Sequence, residues 1–279
     1  METVKRRHVP APQGVEEFLA AARGPLGEAV LVITGAGVSL ASGIPTFRGT
    51  DPDAVWANDV TEKGTRAFFK RAPDESWLWY LRRFERARGA KPNAAHLALA
   101  EWERWQERQG RAFLLVTQNV DTLHEQAGSR ALVKVHGSLD QARCTRRNCA
   151  NGPPRGTYPM AAVDFGPLHA HPSRDAVPRC PLCQSKLRPH VLWFDELYAE
   201  HEAYQFERVL HHARNSRLIV FVGTSFSVGV TAAVSALALK RRIPVFSIDP
   251  AGNQPASHIH VLAERAEELL PRLVASLPS

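Results

Sequence analysis

Short apolar runs alternate with longer amphipathic stretches along most of the chain. Continuous apolar runs at Ala29–Thr34, Phe113–Thr117, 132–135, 218–222 and 244–248 read as strands buried on both faces. Apolar positions recurring three and four apart mark helices over 15–22, 75–88, Ala94–Arg108, 200–212, 230–239 and 264–276. The helix over 75–88 is rich in Trp and Arg, and its apolar positions spread round more than one face. Strand and helix in alternation predict an α/β fold, a parallel sheet covered by helices.

Two regions break the rhythm. Residues 49–72 show no clear strand, and residues 143–189 are rich in Pro, Gly and Cys with little periodicity. The second is too long for an ordinary loop, so it reads as a small module inserted into a discontinuous main domain.

Composition narrows the class. With 279 residues, 44% hydrophobic and 23% charged, the chain can build one large or two modest cores without disulfide staples. No apolar run approaches the roughly 20 residues of a membrane span, and the basic N-terminus has no apolar core behind it. A cytoplasmic protein is expected, neither membrane-bound nor secreted. Lys and Arg number 35 against 28 acids, a balance of +7 that suits anionic partners. The charges are scattered without a basic block, so nucleic acid is not the expected partner. The sequence does not fix an oligomeric state; a monomer is compatible with it.

All four cysteines fall in the irregular region, as Cys144-x4-Cys149 and Cys180-x2-Cys183. Four thiolates complete a tetrahedral Zn²⁺ shell and leave no open position, which makes the expected ion structural. Buried thiols or a redox pair are the rival reading. Upstream, Thr34-Gly-Ala-Gly-Val-Ser39 runs from a strand into a glycine turn whose backbone N–H groups can cradle a phosphate. The third glycine of the dinucleotide fingerprint is replaced by Leu40. By itself the turn fits a tight strand–helix connection equally well.

The sequence around and beyond that turn resembles a family. Gly35-Ala-Gly-Val-Ser39 continues into Ser42-Gly-Ile-Pro-Thr-Phe-Arg-Gly49. Thr117-Gln-Asn-Val-Asp121, Val135-His-Gly137, Arg188-Pro-His-Val-Leu-Trp-Phe194 and Gly223-Thr-Ser225 follow in order. Over roughly residues 15–275 this resembles the sirtuins, NAD⁺-dependent protein deacylases. The resemblance implies a Rossmann-like domain, a smaller zinc-binding and helical domain, and NAD⁺ in the cleft between them. Residues 1–50, 90–142 and 189–279 would form the first, and 51–89 with 143–188 the second.

Carried over by motif, Gly35, Ala36, Gly37 and Ser39 would lie near the NAD⁺ phosphates, and Thr46, Phe47 and Arg48 on a loop over the cofactor. Gln118, Asn119, Val120 and Asp121 would face the ribose and nicotinamide. Gly223, Thr224, Ser225, Asp249 and Ala266 would complete the cofactor site, and Val191, Phe194, Asp195 and Glu196 would meet an acyl-lysine peptide. His136 would be the base, with Asn119 and Asp121 beside it in the catalytic set. In that reaction the acyl oxygen attacks the ribose carbon bearing nicotinamide, and a neighbouring hydroxyl loses a proton. A neutral imidazole after a strand's carboxyl end suits the role.

Tyr80 and Arg83 lie three apart on a predicted helix and share a face. A phenol and a guanidinium there can grip a carboxylate, as in the sirtuin subgroup that this Tyr-x-x-Arg pair resembles, which removes succinyl and malonyl groups. A solvated basic helix face with a buried Tyr is the alternative. Three positions depart from the family pattern: Asp195 before Glu196 where Gly is usual, no Pro in Ser227–Thr231, and Asp249 after Ile248 where Asn is usual. Rival functions are mono-ADP-ribosyl transfer or NAD⁺ hydrolysis at the same site. A further rival is a non-catalytic NAD⁺-sensing or zinc-ribbon binding module.

Overall fold

The computed structural model describes residues 13–24, 29–45 and 60–278; Thr46, Phe47 and Arg48 lie outside them. Nine strands run β1 Ala29–Thr34, β2 Phe113–Thr117, β3 Leu132–Lys134, β4 Gly137–Cys144, β5 Tyr158–Pro159, β6 Leu187–Val191, β7 Ser216–Val222, β8 Val245–Ile248 and β9 Ile259–Leu262 among the described residues. The helices are α1 Gln13–Arg23, α2 Val60–Lys63, α3 Arg66–Arg71, α4 Pro73–Arg88, α5 Ala94–Arg108, α6 Leu123–Gln126, α7 Gly166–Ala170, α8 Phe206–Arg214, α9 Gly229–Arg241 and α10 Ala266–Ala275.

Six strands form one parallel sheet in the order β3-β2-β1-β7-β8-β9. The chain builds outward from β1 on one side, then returns to build outward from β7 on the other. That reversal makes the crevice beyond the carboxyl ends of β1 and β7 the place where such sheets bind ligands. Alternation along each strand feeds two cores. Val30, Val32, Leu115, Leu218 and Val220 pack against α1, α5 and α10 through Phe18, Leu99, Trp102 and Leu270. Leu31, Ile33, Leu114, Ile219 and Phe221 pack against α8 and α9 through Val209, Ala213 and Val234. Each such side chain taken fully out of water contributes about 1.5–3 kcal/mol.

The chain from β4 through β6 folds against α2, α3 and α4 as a smaller unit. Its antiparallel sheet has the order β5-β4-β6, and its core joins Trp77, Tyr80, Leu81 and Phe84 of α4 to Ala142, Leu187 and Trp193. Helix α4 is buried on several sides, which accounts for apolar positions that follow no single stripe. Pro73 at its first turn and Trp77 Nε1 donating to Leu187 O (2.8 Å) fix its start and its seat.

Several expectations change. Strands β4 and β6 straddle the expected boundaries at 142/143 and 188/189, so the small sheet begins directly after His136. The helix expected over 200–212 breaks, because Gln205 adopts φ 47°; two 3₁₀ turns, Tyr198–Glu200 and Glu202–Tyr204, precede α8. The short edge strand β9 and the helices α2 and α3 were not expected. No helix among the described residues is long and apolar enough to cross a membrane.

Candidate active site

The carboxyl ends of β1, β2 and β7 meet through glycines. A Cβ on Gly35 would lie 2.7 Å from Gly223 O, and one on Gly37 2.7 Å from Gly223 Cα; Gly223 itself has φ 57°. The β1 and β7 turns therefore touch backbone to backbone, with Gly35 N–H donating to Val222 O and Gly37 N–H to Gly223 O, both at 2.9 Å. Gln118, at the end of β2, ties the turns together by donating Nε2–H to Thr34 O (3.2 Å) and Thr224 Oγ1 (3.0 Å).

Behind them sits a buried polar network centred on Ser39. Its hydroxyl donates to Asp121 Oδ2 (3.0 Å) and accepts from Asn119 Nδ2 (3.0 Å), which also donates to Gly35 O at 3.2 Å. The remaining Asp121 oxygen accepts Leu123 N–H at 3.1 Å. His96 closes the network: its Nδ1 accepts Asn93 N–H (3.3 Å), so Nε2 carries the proton and faces Ser39 Oγ at 3.5 Å. Burial lowers the His96 pKa to about 4 against the opposing pull of Asp121, so the ring is neutral at physiological pH.

His136 follows β3 after Val135 and immediately precedes β4. Its Nδ1 lies 2.9 Å from Gln118 O, a group that only accepts, so Nδ1 bears the proton and Nε2 the lone pair. Desolvation lowers its pKa to about 4 although the Gln118 carbonyl favours the charged form. A neutral imidazole with a fixed tautomer, beside a buried network of donors and acceptors at the switch point, is equipped to take a proton from a bound hydroxyl. The donor set and the glycine turns at the switch point fit a dinucleotide.

The other expected residues divide. Val120 and Val191 pack into the small unit's core, next to Tyr80 and Trp193. Ala36 is half-buried beside Gly37, and Ser225 is exposed with its hydroxyl on Ser227. Asp249 ends β8, and its Oδ1 accepts Ala251 N–H at 2.9 Å, an Asx turn that an Asn would form equally well. Ala266 turns its side chain into the core at the start of α10.

Two expected substrate residues are committed elsewhere. Asp195 accepts Arg66 N–H (2.7 Å) and Ala67 N–H (3.1 Å), capping α3 together with Thr65, whose Oγ1 accepts Phe68 N–H at 3.1 Å. Glu196 is a buried hub. Its carboxylate meets Arg188 Nη1 at 2.5 Å, Arg66 Nη2 at 2.9 Å and Arg143 Nη2 at 3.2 Å. Burial alone would raise its pKa, yet Arg188, Arg143 and the Trp193 N–H hold it at about 2. Phe194 leaves its ring exposed, while its N–H is spent on Gly64 O at 3.0 Å.

Tyr80 is buried edge-on to Trp79 (centroids 4.7 Å), and the Arg83 guanidinium lies 3.3 Å over the same Trp79 ring. Burial lifts the Tyr80 phenol well above its usual range, and Arg188 and Arg83 oppose that shift. The pair is thus close enough to couple electrically.

The four cysteine Sγ atoms lie within 4.8 Å of one another, with Cys144–Cys183 at 3.4 Å and Cys149–Cys180 at 3.7 Å. Tetrahedral zinc with Zn–S of about 2.3 Å sets sulfurs about 3.8 Å apart, so the cluster fits a closed, structural ion. Beside it opens a basic cavity of about 760 Å³ lined by Lys70, Arg147, Lys186 and the Glu196 hub, away from the crevice of the large sheet.

Sequence reasoning assigned no role to Asn93, His96 and Lys134. The Asn93/His96 pair had a signal, since reciprocal side-chain to backbone bonds three apart make a capping box at the start of α5. Lys134 had none: its Nζ reaches Asp121 O and Ser138 Oγ, both at 2.6 Å, only once β3 is docked.

A parallel sheet of this strand order, a polar crevice at its switch point and an inserted four-cysteine module define a Rossmann-type α/β protein with a second unit gathered round a cysteine cluster that fits a zinc ion. The profile described as "Sir2 family" matches residues 35–230. The chain belongs to the Sir2 family. It is 39% identical over 237 residues to a protein from Thermus thermophilus named "NAD-dependent protein deacylase", covering 84% of this chain and 85% of that one. It is 35% identical over 248 residues to "NAD-dependent protein deacylase 1" of Archaeoglobus fulgidus, covering 88% and 91%. Among solved structures, a Sir2 homolog–NAD complex superimposes with TM-score 0.76 at 32% identity, over 94% of this chain and 93% of that one.

Proposed function

We propose that this Sir2-family protein is an NAD⁺-dependent protein-lysine deacylase whose acyl pocket favours succinyl and malonyl over acetyl groups. The observation that carries the deacylase reading is His136: a neutral imidazole, Nδ1-protonated on Gln118 O, at the carboxyl end of β3 beside the Ser39–Asn119–Asp121 network. The names of the relatives agree with it. A solved Sir2 complex with a p53 peptide and NAD⁺, 25% identical with TM-score 0.73 over 94% of this chain, supports a peptide as substrate.

NAD⁺, when bound, supplies the ribose carbon that accepts the acyl oxygen as nicotinamide leaves. The chain's own part is to bind, aim and deprotonate. The turns after β1 and β7 shape the phosphate end of the crevice by close backbone approach, their Gly35, Gly37 and Gly223 N–H groups being spent on Val222 O, Gly223 O and Ile248 O. Gln118, Asn119 and Asp121 fix the floor of the crevice, and His136 Nε2 takes the proton of a ribose hydroxyl. Tyr80 and Arg83 sit on α4, which packs on the strand leading to Val191, and supply a phenol and a guanidinium for an acyl carboxylate.

The test uses matched acetyl-lysine and succinyl-lysine peptides, with and without NAD⁺. NAD⁺-dependent acyl loss, faster for succinyl and abolished in His136→Ala, is expected. Arg83→Met should lower the succinyl/acetyl ratio roughly tenfold to a hundredfold, the worth of one charged hydrogen bond. An unchanged ratio removes the acyl preference and leaves the deacylase. Nicotinamide release without acyl loss would point to ADP-ribosyl transfer or NAD⁺ hydrolysis instead.

A further inference from the structure

His136 Nε2 already has a partner. Tyr198 Oη lies 3.1 Å from it, and because Nδ1 carries the ring's proton, the phenol must be the donor. Tyr198 comes from the 3₁₀ turn Tyr198–Glu200, sixty-two positions from His136 in sequence. Its ring is held on one face by Phe206, at the start of α8, which stacks at 4.2 Å and 6°, and its plane lies within 16° of the His136 imidazole, with the centroids 5.9 Å apart.

The ring's edge runs along the start of α9. A Cβ on Gly229 would sit 3.5 Å from Tyr198 Cε2, within ordinary contact, and the next backbone N–H, of Val230, favours the ionised phenol against burial. The turn is tethered to the small unit by Glu200, which pairs with Arg66. Charges on neighbouring elements are engaged elsewhere: Lys134 of β3 with Glu125 and Ser138, and Arg208 of α8 with Gln205.

We propose that Tyr198 is a positioning residue for the base. Its hydroxyl holds His136 Nε2 in the ligand-free protein and gives up that lone pair when a ribose hydroxyl arrives. The inference rests on His136 being the base. A neutral imidazole protonated at Nδ1 offers one lone pair at Nε2, so the phenol and a sugar hydroxyl cannot both be served. While the phenol donates, it keeps the ring neutral and aimed into the crevice, and bound cofactor must displace it. No bond is broken in the exchange, since one O–H···N hydrogen bond replaces another.

The test is Tyr198→Phe, which keeps the ring and its stack on Phe206 and removes only the hydroxyl. Titration of ¹⁵N-histidine-labelled protein without ligand reads the His136 pKa and tautomer directly, whether or not the enzyme turns over. Loss of a bond that favours the neutral ring should raise that pKa by about half a unit to one unit. Activity depends on the neutral ring, so the acid limb of kcat/KM should move to higher pH by the same amount. Freed from competition with the phenol, the KM for NAD⁺ should fall about threefold to fivefold, and a less well aimed ring should cost about twofold in kcat.

An unshifted His136 titration in Tyr198→Phe overturns the proposal, as does a rise in KM for NAD⁺, which would make the phenol a cofactor contact. The separate variant His136→Ala tests the underlying assignment. If it still transfers acyl groups, the base is another residue, whatever the titration of Tyr198→Phe shows.

Discussion

Buried polarity at the carboxyl ends of β1, β2 and β3 differs in kind from that around Cys144 and Glu196. In the first region the groups are short and mostly neutral. Ser39, Asn119 and neutral His96 surround one carboxylate, Asp121, and strands with registers fixed over five or more residues hold them in place. In the second, the scaffold is a three-stranded sheet whose β5 has two residues, and the polar groups are three arginines on one carboxylate and four thiols in a cluster. Where backbone supplies rigidity, the side chains need not be spent on holding the fold together. Where it does not, ionic and metal bonds must supply the rigidity, and the same groups are then unavailable for chemistry. Asp195 and Glu196, expected to meet substrate, illustrate this on the second side.

The largest effect expected from that contrast is metal removal. Structural zinc binds small peptides with an apparent 10–16 kcal/mol, of order the whole stability of a domain. Chelation, or Cys180→Ser, should abolish the ordered near-ultraviolet signal of Trp77, Trp79 and Trp193, while strand and helix signals from the large sheet persist. Retention of the tryptophan signal after complete zinc loss would show that the small unit stands on its aromatic core alone.

Next comes the hub. Glu196→Gln leaves buried Arg188 and Arg143 without a counter-charge and should cost about 3–5 kcal/mol in urea unfolding. Ser39→Ala, which removes one hydroxyl donor from the Asp121 carboxylate and leaves its other partners in place, should cost about 1–3 kcal/mol while impairing turnover. Equal losses would erase the distinction between the two regions.

Acid should add one stage that belongs to the second region alone. His96 on the first side and His190 on the second have folded pKa values lowered to about 4 and about 2, in each case chiefly by burial. The unfolded chain therefore binds protons first, near pH 6.5, and stability falls as pH drops below that value. Glu196, held at about 2, contributes stability that is present above about pH 4.5 and is lost as pH falls toward 2. Stability should thus decline in two stages, and Glu196→Gln should remove only the lower one.

How much of this could be read from the sequence follows from the same physics. Strands β1 and β2 were legible to the residue, because a parallel strand covered on both faces is an unbroken apolar run. The cysteine cluster was legible because ligand spacing is local. The expectation for His136 rested on its neighbours Val135 and Gly137, since a lone histidine carries no signal. The hub was not legible: Arg143 and Glu196 are fifty-three positions apart, and a buried ion pair leaves no periodic trace. Tyr198 escaped for the same reason, as its partner lies on a different element.

The smallest expected effect tests the reassignment of Asp195. Its two oxygens accept the first two N–H groups of α3, and Thr65 accepts the third, so the short helix has three of its four unpaired donors satisfied from outside its own turn. Asp195→Gly restores the residue usual in the family and removes both bonds, which should cost about 1 kcal/mol. Asp195→Asn keeps one acceptor oxygen and should cost less than Gly, since it loses one of the two bonds rather than both, together with the carboxylate's attraction to a helix N-terminus, about 0.3–1 kcal/mol and weakened by salt. A cap predicts that ordering in thermal unfolding. If the two variants instead unfold like the parent and alter only the KM for an acyl-lysine peptide, Asp195 belongs to the substrate cleft after all, and the boundary between the two regions lies one residue further along, at Glu196.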